Sequence, residues 1–339
     1  MNKKQTIKYI SGANRIAVVR TDRLGDMVLT LPMCLALKRS FPETEIILFA
    51  SSYCEPLLAN TYTVNKVIYA DQDKEPLRKI FRREMIDIIF FPRPVFSEAM
   101  EAFRAGVKLR VGSGYRFYSF LFNRRIYEHR KKGKFHEAEY NVRIVEYLTG
   151  QKTCIELVKP YISPVALASV NNILENNNIV NNFPVVIVHP GSGGSAYKWK
   201  AENFGIIANI LSANYKVHIL ITGTKDESEI CGRAALECPS AVNLCGKLSL
   251  AEMIALISRS NMMIANSTGV LHIAAASGIK TVGLYPNTTH LSPVRWRPYS
   301  EDSICLTPEY GANDGNRDNM DLIKPEKVAE AAVKLLMTL

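Results

Sequence analysis

Short apolar segments alternate with longer amphipathic segments along the whole chain, and this alternation constrains the fold more than any other feature. The apolar segments occupy residues 15–20, 45–50, 66–70, 86–91, 184–190, 215–223, 241–246, 261–266 and 280–286. Helix-length segments separate several of them, which is typical of a parallel sheet covered by helices. A chain of 339 residues is long enough for two such domains. The sequence therefore predicts an α/β protein with two Rossmann-like, doubly wound domains.

The boundary between the domains is predicted from a change in composition. The segment from Gln151 to Pro184 contains three prolines and the polar stretch NNILENNNIVNN, which is typical of a linker. We therefore expect an N-terminal domain at residues 1–165 and a C-terminal domain at residues 166–323. In the last segment, residues 324–339, Pro325 precedes apolar residues spaced along one helix face, which predicts a closing amphipathic helix.

The charge of the chain is unevenly distributed. Residues 1–165 contain 28 Lys and Arg against 17 Asp and Glu, whereas residues 166–339 contain 14 against 15. The first half is therefore expected to bind an anionic partner, which could be nucleic acid, a membrane surface or a phosphorylated substrate. No RNA-recognition or helix-turn-helix signature is present, so nucleic acid is the least favoured of these partners.

Other features of the composition limit the cellular setting. The first fifteen residues lack the apolar core of a signal peptide, and no segment approaches the roughly 18 apolar residues of a membrane span, so a cytoplasmic protein is expected. The seven cysteines form no CxxC pair and are predicted to be reduced thiols. Asp71 and Asp73 form a DxD sequence, and residues 313–321 are rich in Asp and Asn, but neither has the pattern of a metal site. No metal or cofactor is predicted.

The first motif is RTDRLGDMVLTLP, which runs from Arg20 to Pro32. A predicted strand ends at Arg20, and Asp26 lies where the next helix is expected to begin. Asp26 could be a helix N-cap, because Asp is a common capping residue. It could instead be a general base, with a pKa lowered by the helix N-terminus so that it is ionised at pH 7.

The second motif is HPGSGGSAYKWKAENF, which begins at His189. Its glycines, including Gly193, and the hydroxyls of Ser192 and Ser195 offer hydrogen-bond donors to an oxyanion, and Lys198 adds a positive charge before the next helix. The motif is therefore typical of a diphosphate-binding loop. A flexible glycine turn with solvated lysines has the same composition.

The third motif is ANSTGVLHIAAASG, which begins at Ala265. Ser267, Thr268 and Gly269 follow a predicted strand and precede a helix of small residues, so they form a second set of oxyanion donors at a helix start. His272 falls in the first turns of that helix. We expect it to be a structural residue that supports the site.

A basic segment lies near the end of the N-terminal half. Its cationic residues are interleaved with Phe117, Tyr118, Phe120, Phe122 and Tyr127. The cationic residues are Arg116, Arg124, Arg125, Arg130, Lys131, Lys132 and Lys134. A solvated helix face is one interpretation, and a surface for a membrane or a phosphate-rich lipid is the other.

Taken together and in order, these motifs resemble the bacterial ADP-heptose:lipopolysaccharide heptosyltransferases of glycosyltransferase family 9. The resemblance rests on residues 20–60, the HPGSGGSAYKWKAENF loop, TGTKDESE, NSTGVLHIAAASG and the closing IKPEKVAEAAVKLL, and so it spans nearly the whole chain. It implies the GT-B architecture, in which two Rossmann-like domains face each other across a cleft. The acceptor binds the N-terminal domain, the nucleotide sugar binds the C-terminal domain, and the last helix returns to the N-terminal domain.

The resemblance also implies roles for individual residues. Asp26 matches the catalytic aspartate, Lys198 the lysine that neutralises the donor phosphates, and Glu227 a glutamate that holds the ribose. The other donor-binding residues implied are Ser192, Gly193, Ser267, Thr268, Gly269 and His272. Residues expected to contact the acceptor or the membrane are Arg20, Arg23, Arg116, Arg124, Arg125, Lys131 and Lys132. One position departs from the family pattern, because family members usually carry Asp where this chain has Ser267.

The implied reaction is metal-independent, inverting transfer of a heptose from ADP-heptose to a lipopolysaccharide core or related acceptor. The implied partners are a nucleotide sugar and an anionic lipid-linked saccharide, and the implied location is peripheral, at the cytoplasmic face of the inner membrane, with no nucleic acid. A family member with another donor or another glycan acceptor is the first alternative. A non-catalytic protein that binds nucleic acid or membranes is the second.

Overall fold

The computed structural model describes residue 9 and residues 12–179, 182–194, 197–309 and 319–338. The chain divides into two compact units, Met1–Arg130 with Phe135–Val158, and Lys131–Lys134 with Lys159–Leu339. Each unit contains one six-stranded sheet in which every neighbouring pair of strands is parallel. The predicted α/β fold class is confirmed. The main segment of the second unit begins at Lys159, and the domain boundary at residue 165 stays a prediction.

The first unit has the strand order β3-β2-β1-β4-β5-β6. Its strands are β1 (Arg15–Val19), β2 (Glu45–Ala50), β3 (Lys66–Tyr69), β4 (Ile88–Phe90), β5 (Leu109–Ser113) and β6 (Arg124–Ile126). Its helices are α1 (Leu24–Val28), α2 (Leu31–Ser40), α3 (Glu55–Leu58), α4 (Leu77–Arg83), α5 (Phe96–Ala105) and α6 (Glu137–Thr149). Shorter 3-10 turns are formed by Ser52–Cys54, Ser119–Leu121 and Arg130–Lys132.

The second unit has the strand order β12-β11-β10-β7-β8-β9. Its strands are β7 (Val185–His189), β8 (His218–Ile221), β9 (Val242–Asn243), β10 (Met262–Asn266), β11 (Lys280–Leu284) and β12 (Ser303–Leu306). Its helices are α7 (Pro164–Asn176), α8 (Ala201–Asn214), α9 (Ser228–Glu237), α10 (Leu250–Ser258), α11 (Gly269–Ser277), α12 (Pro293–Trp296) and α13 (Pro325–Leu336). Two 3-10 turns, Lys225–Glu227 and Met320–Leu322, complete it.

Both sheets have the same strand order, and it places the predicted motifs. The chain builds each sheet outward from its first strand, to one side through the next two strands and to the other side through the last three. The order therefore reverses between β1 and β4 in the first unit and between β7 and β10 in the second. Ligands of such sheets bind beyond the carboxyl ends of the strands at this point. The three motifs follow β1, β7 and β10, and so all three lie at the expected positions.

The central strands are the most deeply buried elements. All five residues of β7 and all five of β10 are buried, because helices cover both faces of a parallel sheet. This explains why these strands have continuous apolar sequences instead of an alternation of polar and apolar residues. The seven cysteines are free thiols, as predicted.

Two segments fold differently from the prediction. The segment expected to be a linker contains α7, which is capped by the Ser163 hydroxyl, starts with Pro164 and buries Ala166, Val170 and Leu174. The basic segment forms β6 and two 3-10 turns, so the interpretation as a solvated helix face is wrong. Its arginines are too polar to be recognised as strand residues, and β6 forms because β5 provides a parallel neighbour.

The closing helix α13 is amphipathic, as predicted, and packs on α8, β11 and β12 of the second unit. Val328, Ala332 and Leu335 join the core of that unit. All of these contacts lie within the second unit, and the return of this helix toward the N-terminal domain stays a prediction. In the part of the chain that the structure describes, no helix is long and apolar enough to span a bilayer.

Candidate functional site

Asp26 lies in the third position of α1, just beyond the carboxyl end of β1. The N-cap of α1 is Arg23, which makes no side-chain capping hydrogen bond. The interpretation of Asp26 as an N-cap is therefore wrong, because the helix begins two residues before it. The helix ends at Val28, and Pro32 lies near the start of α2, where its fixed backbone suits a new first turn.

A buried arginine holds the Asp26 carboxylate. Arg20, which is 2% exposed, donates a hydrogen bond from its guanidinium to Asp26 Oδ1. Arg20 Nε also lies 2.6 Å from Asp22 Oδ1, and Arg20 Nη1 lies 3.9 Å from Glu137 Oε1. The Arg20 guanidinium therefore lies within 4 Å of three carboxylates. Arg20 is buried and contacts these carboxylates in the structure, and its predicted contact with an acceptor or a membrane stays a prediction.

A second arginine connects this cluster to α6. Arg130 Nη1 donates to Glu137 Oε1 at 2.5 Å and to Asn141 Oδ1 at 2.9 Å. Asn141 Nδ2 in turn donates to the carbonyl of Leu29 at 2.9 Å, at the break between α1 and α2. The network therefore fixes the end of the short helix that carries Asp26.

Burial and neighbouring charges change the acidity of Asp26. Burial raises the pKa of Asp26, the Arg20 guanidinium lowers it, and the carboxylates of Asp22 and Glu137 raise it further; the net pKa is above that of an ordinary aspartate. The sequence-based expectation of a lowered pKa is wrong. Burial and two neighbouring carboxylates raise the pKa of Asp26 by more than the N-terminus of a five-residue helix lowers it. Asp26 is consequently a stronger base than expected, and 14% of its side chain is exposed to a reacting group.

The predicted acceptor-binding cations have different surroundings. Arg23 and Arg116 are exposed. Arg124 is half-buried with its guanidinium over the Tyr147 ring, and Arg125 Nε donates to the carbonyls of Ser119 and Phe122. Lys131 and Lys132 are exposed on a 3-10 turn, in the segment that groups with the second unit. Binding of an acceptor or membrane by these residues stays a prediction.

In the second unit, Glu227 ties the glycine loop after β7 to the loop after β8. Its Oε1 accepts hydrogen bonds from the backbone N–H groups of Ser192 at 2.9 Å and Gly193 at 3.0 Å. Its Oε2 accepts from the backbone N–H of Thr224 at 2.9 Å and from its hydroxyl at 3.1 Å. Burial acts to raise the pKa of Glu227, but these hydrogen bonds lower it overall, so the carboxylate is ionised at neutral pH.

These contacts change the interpretation of the loop. A carboxylate has about four acceptor positions, and four donors already occupy those of Glu227. The N–H groups of Ser192 and Gly193 therefore point to Glu227 in this structure and not to a ligand. The ribose contact implied for Glu227 stays a prediction, while its bracing of the glycine loop is observed. Ser195 lies outside the described residues.

Gly191 is required by this arrangement, and its replacement is a direct test. A Cβ atom at residue 191 would lie 2.2 Å from the carboxyl carbon of Glu227. We expect Gly191→Ala to displace the carboxylate and to lower the free energy of unfolding by about 1–3 kcal/mol, measured by urea denaturation. Gly232→Ala is the control, because no atom lies within 4 Å of its added methyl group and alanine suits helix α9. Equal stability of the two variants would contradict the bracing role of Glu227.

Asn266 positions the segment that carries Lys198. Its side chain is fully buried, donates to the carbonyl of Pro190 at 2.9 Å and accepts from the backbone N–H of Trp199 at 3.3 Å. The Trp199 ring is buried against Phe204, and its Nε1 donates to the carbonyl of Ile323 at 2.9 Å. Lys198 is exposed beside this anchored residue. The chain is therefore anchored at Trp199, directly after Lys198.

The third motif begins α11. Thr268 is the N-cap residue, and its side chain makes no capping hydrogen bond, so its hydroxyl is not committed to the helix. Gly269 is the first helical residue, and His272 is buried one turn later. The hydroxyl of Ser267 interacts with that of Tyr285, a buried residue that donates to the carbonyl of Trp296 at 2.8 Å. Ser267 is thus held by the protein.

Sequence reasoning missed several residues at these two sites. Glu137 lies more than one hundred residues from Asp26, and Arg130 was grouped with surface cations. His189, at the end of β7, is buried with its Nδ1 2.9 Å from Thr222 Oγ1, and burial lowers its pKa to about 4. His189 is therefore neutral at pH 7. Asn266 directly precedes the predicted donor residues, and the available signal was its position at the end of the apolar segment 261–266.

No group of three or more His, Cys, Asp or Glu side chains that could hold a metal ion occurs among the residues described here. The DxD carboxylates have protein partners. Asp71 accepts hydrogen bonds from Ser51 and Ser52, and Asp73 pairs with Arg83. Residues 313–318 of the second acidic stretch lie outside the described residues.

Two Rossmann-type units, each with its predicted binding loops at the point where the strand order reverses, are characteristic of the GT-B class of glycosyltransferase fold. The structure of ADP-heptose lipopolysaccharide heptosyltransferase II from Escherichia coli has this fold and superposes with a TM-score of 0.78, at 20% identity over 96% of this chain and 99% of that one. The profile of glycosyltransferase family 9 (heptosyltransferase) matches residues 77–322. The chain therefore belongs to glycosyltransferase family 9 and is a glycosyltransferase.

Curated relatives agree with this assignment over most of their length. A protein described as a putative glycosyltransferase from Haemophilus influenzae is 27% identical over 91% of this chain and 93% of its own. Lipopolysaccharide heptosyltransferase 3 from Escherichia coli is 23% identical over 92% of this chain and 96% of its own. The family match begins after Asp26, so the role of that residue rests on its position and contacts.

Proposed function

We propose that this protein transfers a heptose from ADP-heptose to a saccharide of lipopolysaccharide, with inversion at the anomeric carbon and without a metal ion. The observation that carries the proposal is the Asp26 carboxylate, which is partly exposed at the switch point of the first sheet and held by the buried Arg20. Family membership and the donor and acceptor in the names of its relatives support this choice. Because the chain belongs to a glycosyltransferase family, we do not propose the alternative of a non-catalytic binding protein.

Asp26 acts as the general base in this reaction. Its ionised carboxylate accepts the proton of the acceptor hydroxyl as that oxygen attacks the anomeric carbon and the bond to the diphosphate breaks. The raised pKa of Asp26 makes the carboxylate a better proton acceptor, and Arg20 keeps it oriented. The exposed Arg23 lies beside it and suits an anionic acceptor.

The second unit binds the donor. Lys198 stabilises the negative charge that develops on the departing diphosphate, and the Thr268 hydroxyl and the N-terminus of α11 add hydrogen-bond donors. The glycine loop, with Ser192 and Gly193, is held in place by Glu227 and approaches the same nucleotide. Ser267 and His272 line the start of the helix and support these contacts.

The acidity of Asp26 gives a pH test of its role. The base must be ionised, so kcat/KM rises with pH through the pKa of Asp26. Glu137→Gln removes a negative charge from the cluster, which lowers the pKa of Asp26, and we expect the acid limb of the pH profile to move to lower pH. Glu139→Gln, in the same first turn of α6, is the matched control. If the acid limb of the Glu137→Gln variant coincides with that of the wild type, Glu137 does not raise the pKa of the catalytic base.

Donor binding is tested by calorimetry with Lys198→Ala. We expect the wild type to bind ADP-heptose in preference to other ADP-, GDP- and UDP-sugars, and the variant to lose affinity and to lose still more in kcat/KM, because the charge on the diphosphate grows in the transition state. Lys200→Ala is the control, since Lys200 pairs with Asp321 at 3.0 Å. The proposal fails if no nucleotide sugar binds the wild type, or if both variants behave alike.

A different donor sugar is the second candidate, and Ser267 favours it. Family members usually carry Asp at this position, and a neutral hydroxyl gives weaker hydrogen bonds to a sugar diol than a carboxylate does. Ser267 also contacts the buried Tyr285. Preference for another nucleotide sugar in the calorimetric panel would support this candidate.

The proposed acceptor is lipid-linked, which places the working enzyme at the cytoplasmic face of the inner membrane as a peripheral protein. The excess of positive charge in residues 1–165 supports this location, because anionic lipids attract clustered Lys and Arg. No nucleic acid partner is proposed.

A further inference from the structure

Five exposed aromatic residues follow three neighbouring strands of the first sheet. Phe96 follows β4, Tyr115, Phe117 and Phe120 follow β5, and Tyr127 follows β6. Phe117 is 84% exposed and Phe120 is 63% exposed. Because the strands are parallel, these residues belong to a single edge of the sheet. We call them the aromatic patch.

Two residues of the patch, Phe96 and Phe117, pack against each other and against the buried Tyr118. The rings of Phe96 and Phe117 stack with centroids 5.8 Å apart, and the edge of one ring meets the face of the other between Phe117 and Tyr118 at 4.9 Å. The Tyr118 hydroxyl donates to the carbonyl of Pro94 at 2.8 Å, which ties the loop after β5 to the loop after β4. An exposed apolar group that is ordered and clustered in this way marks a binding surface.

The patch is continuous with the loop that carries the base. Glu98, which follows Phe96 in the first turn of α5, accepts a hydrogen bond from the Thr21 hydroxyl. Arg93, which follows β4, places its Nε 3.4 Å from Asp22 Oδ2. Thr21 and Asp22 belong to the loop between β1 and Asp26. The patch and Asp26 therefore lie along the same edge of one sheet.

The charges around the patch indicate its partner. Arg93 and Arg116 are exposed in the loops after β4 and β5, Arg125 is exposed in β6, and the first 165 residues carry the positive excess of the chain. Exposed aromatic rings next to cations are typical of surfaces that enter the interface of a bilayer, where the rings reach the acyl boundary and the cations meet anionic headgroups. A protein partner would have to supply matching acidic groups around an apolar pocket, whereas an anionic bilayer supplies both everywhere.

We propose that the aromatic patch inserts into an anionic membrane surface, with Phe117 and Phe120 as its deepest residues. The patch would then bring the edge of the sheet that carries Asp26 to the level of the headgroups, where the saccharide of a lipid-anchored acceptor begins. This second step rests on the proposed function, and insertion itself does not.

Vesicle binding tests the insertion. Flotation uses the full-length chain and vesicles of phosphatidylethanolamine and phosphatidylglycerol, with phosphatidylcholine vesicles as the neutral comparison. We expect the double variant Phe117→Gln, Phe120→Gln to reduce the partition coefficient by about tenfold or more on the anionic vesicles. The control is Phe103→Gln. Phe103 is 51% exposed on the same helix as Phe96, seven residues further along, and its ring packs against Arg110 outside the patch.

A second measurement reports insertion directly. Phe117→Trp keeps an interfacial aromatic ring, and we expect its fluorescence to shift to shorter wavelength on anionic vesicles and to be quenched by brominated acyl chains. The proposal is overturned if the double variant and the control bind equally, or if no quenching above that of the wild type occurs. It is also overturned if sedimentation shows a wild-type dimer that the double variant dissociates, since the patch would then bind a second copy of the chain.

The acceptor separates this inference from the proposed function. We expect the double variant to transfer sugar to a deacylated acceptor at the wild-type rate and to a vesicle-embedded acceptor at a rate reduced by about tenfold. Vesicle binding without any sugar transfer by the wild type would contradict the proposed function alone. Sugar transfer that is insensitive to the double variant on both acceptors would contradict delivery of the acceptor by the patch.

Discussion

Asp26→Asn is expected to reduce turnover by about 10²- to 10⁴-fold, the range for loss of an acid-base group, while nucleotide-sugar affinity stays within a few-fold of the wild type. Asparagine keeps the volume of the side chain and an oxygen that accepts from Arg20, but it cannot take the proton of the acceptor. Arg20 retains Asp22 and Glu137 as counter-charges, so the fold is preserved. Steady-state kinetics and donor calorimetry measure the two quantities.

Asp87→Asn is the control for this variant. Asp87 accepts hydrogen bonds from the backbone N–H groups of Asn14 and Arg15 at the opposite, amino-terminal edge of the first sheet. Its replacement is expected to lower stability and to leave turnover of the folded enzyme near the wild-type value. Normal turnover of Asp26→Asn would assign Asp26 a structural role and remove the base from the proposed mechanism.

Arg20→Met is expected to lower the free energy of unfolding by about 3–5 kcal/mol, because it removes the buried cation from a cluster of three largely buried carboxylates. Asp22, Asp26 and Glu137 all lie within 4 Å of the Arg20 guanidinium. The same change removes the charge that favours ionised Asp26, so the pKa of Asp26 rises further and activity is lost at neutral pH. Urea denaturation and the pH profile of kcat/KM measure these effects.

Arg15→Met is the matched control at the other end of the same strand. Arg15 pairs with Glu45 at 2.7 Å, but both side chains are partly exposed, and such pairs contribute about 0–1 kcal/mol. Arg20→Lys is expected to give an intermediate result, since an ammonium group cannot contact three carboxylates at once. If the variants at residues 15 and 20 have the same stability and the same pH profile, Arg20 does not organise the site.

The sequence by itself determined the general architecture and the position of the motifs. Continuous apolar segments such as VVIVH and MMIAN predicted buried parallel strands, and each motif was placed beyond the carboxyl end of one of them. These inferences succeed because strand formation and the place of the following loop depend on residues near each other in sequence. The strands β5, β6 and β12 and the helix α7 were missed, since their formation depends on neighbours from elsewhere in the chain.

Only the tertiary structure decided how the site residues are held and how acidic they are. The pKa of Asp26 is raised by burial and by carboxylates that include Glu137, from a helix more than one hundred residues away. Glu227 accepts hydrogen bonds from the backbone N–H groups of Ser192 and Gly193, which the local sequence predicted to face a ligand. The aromatic patch unites loops from three strands. Burial and charge proximity arise when distant segments pack together, so motifs locate the site and packing sets its chemistry.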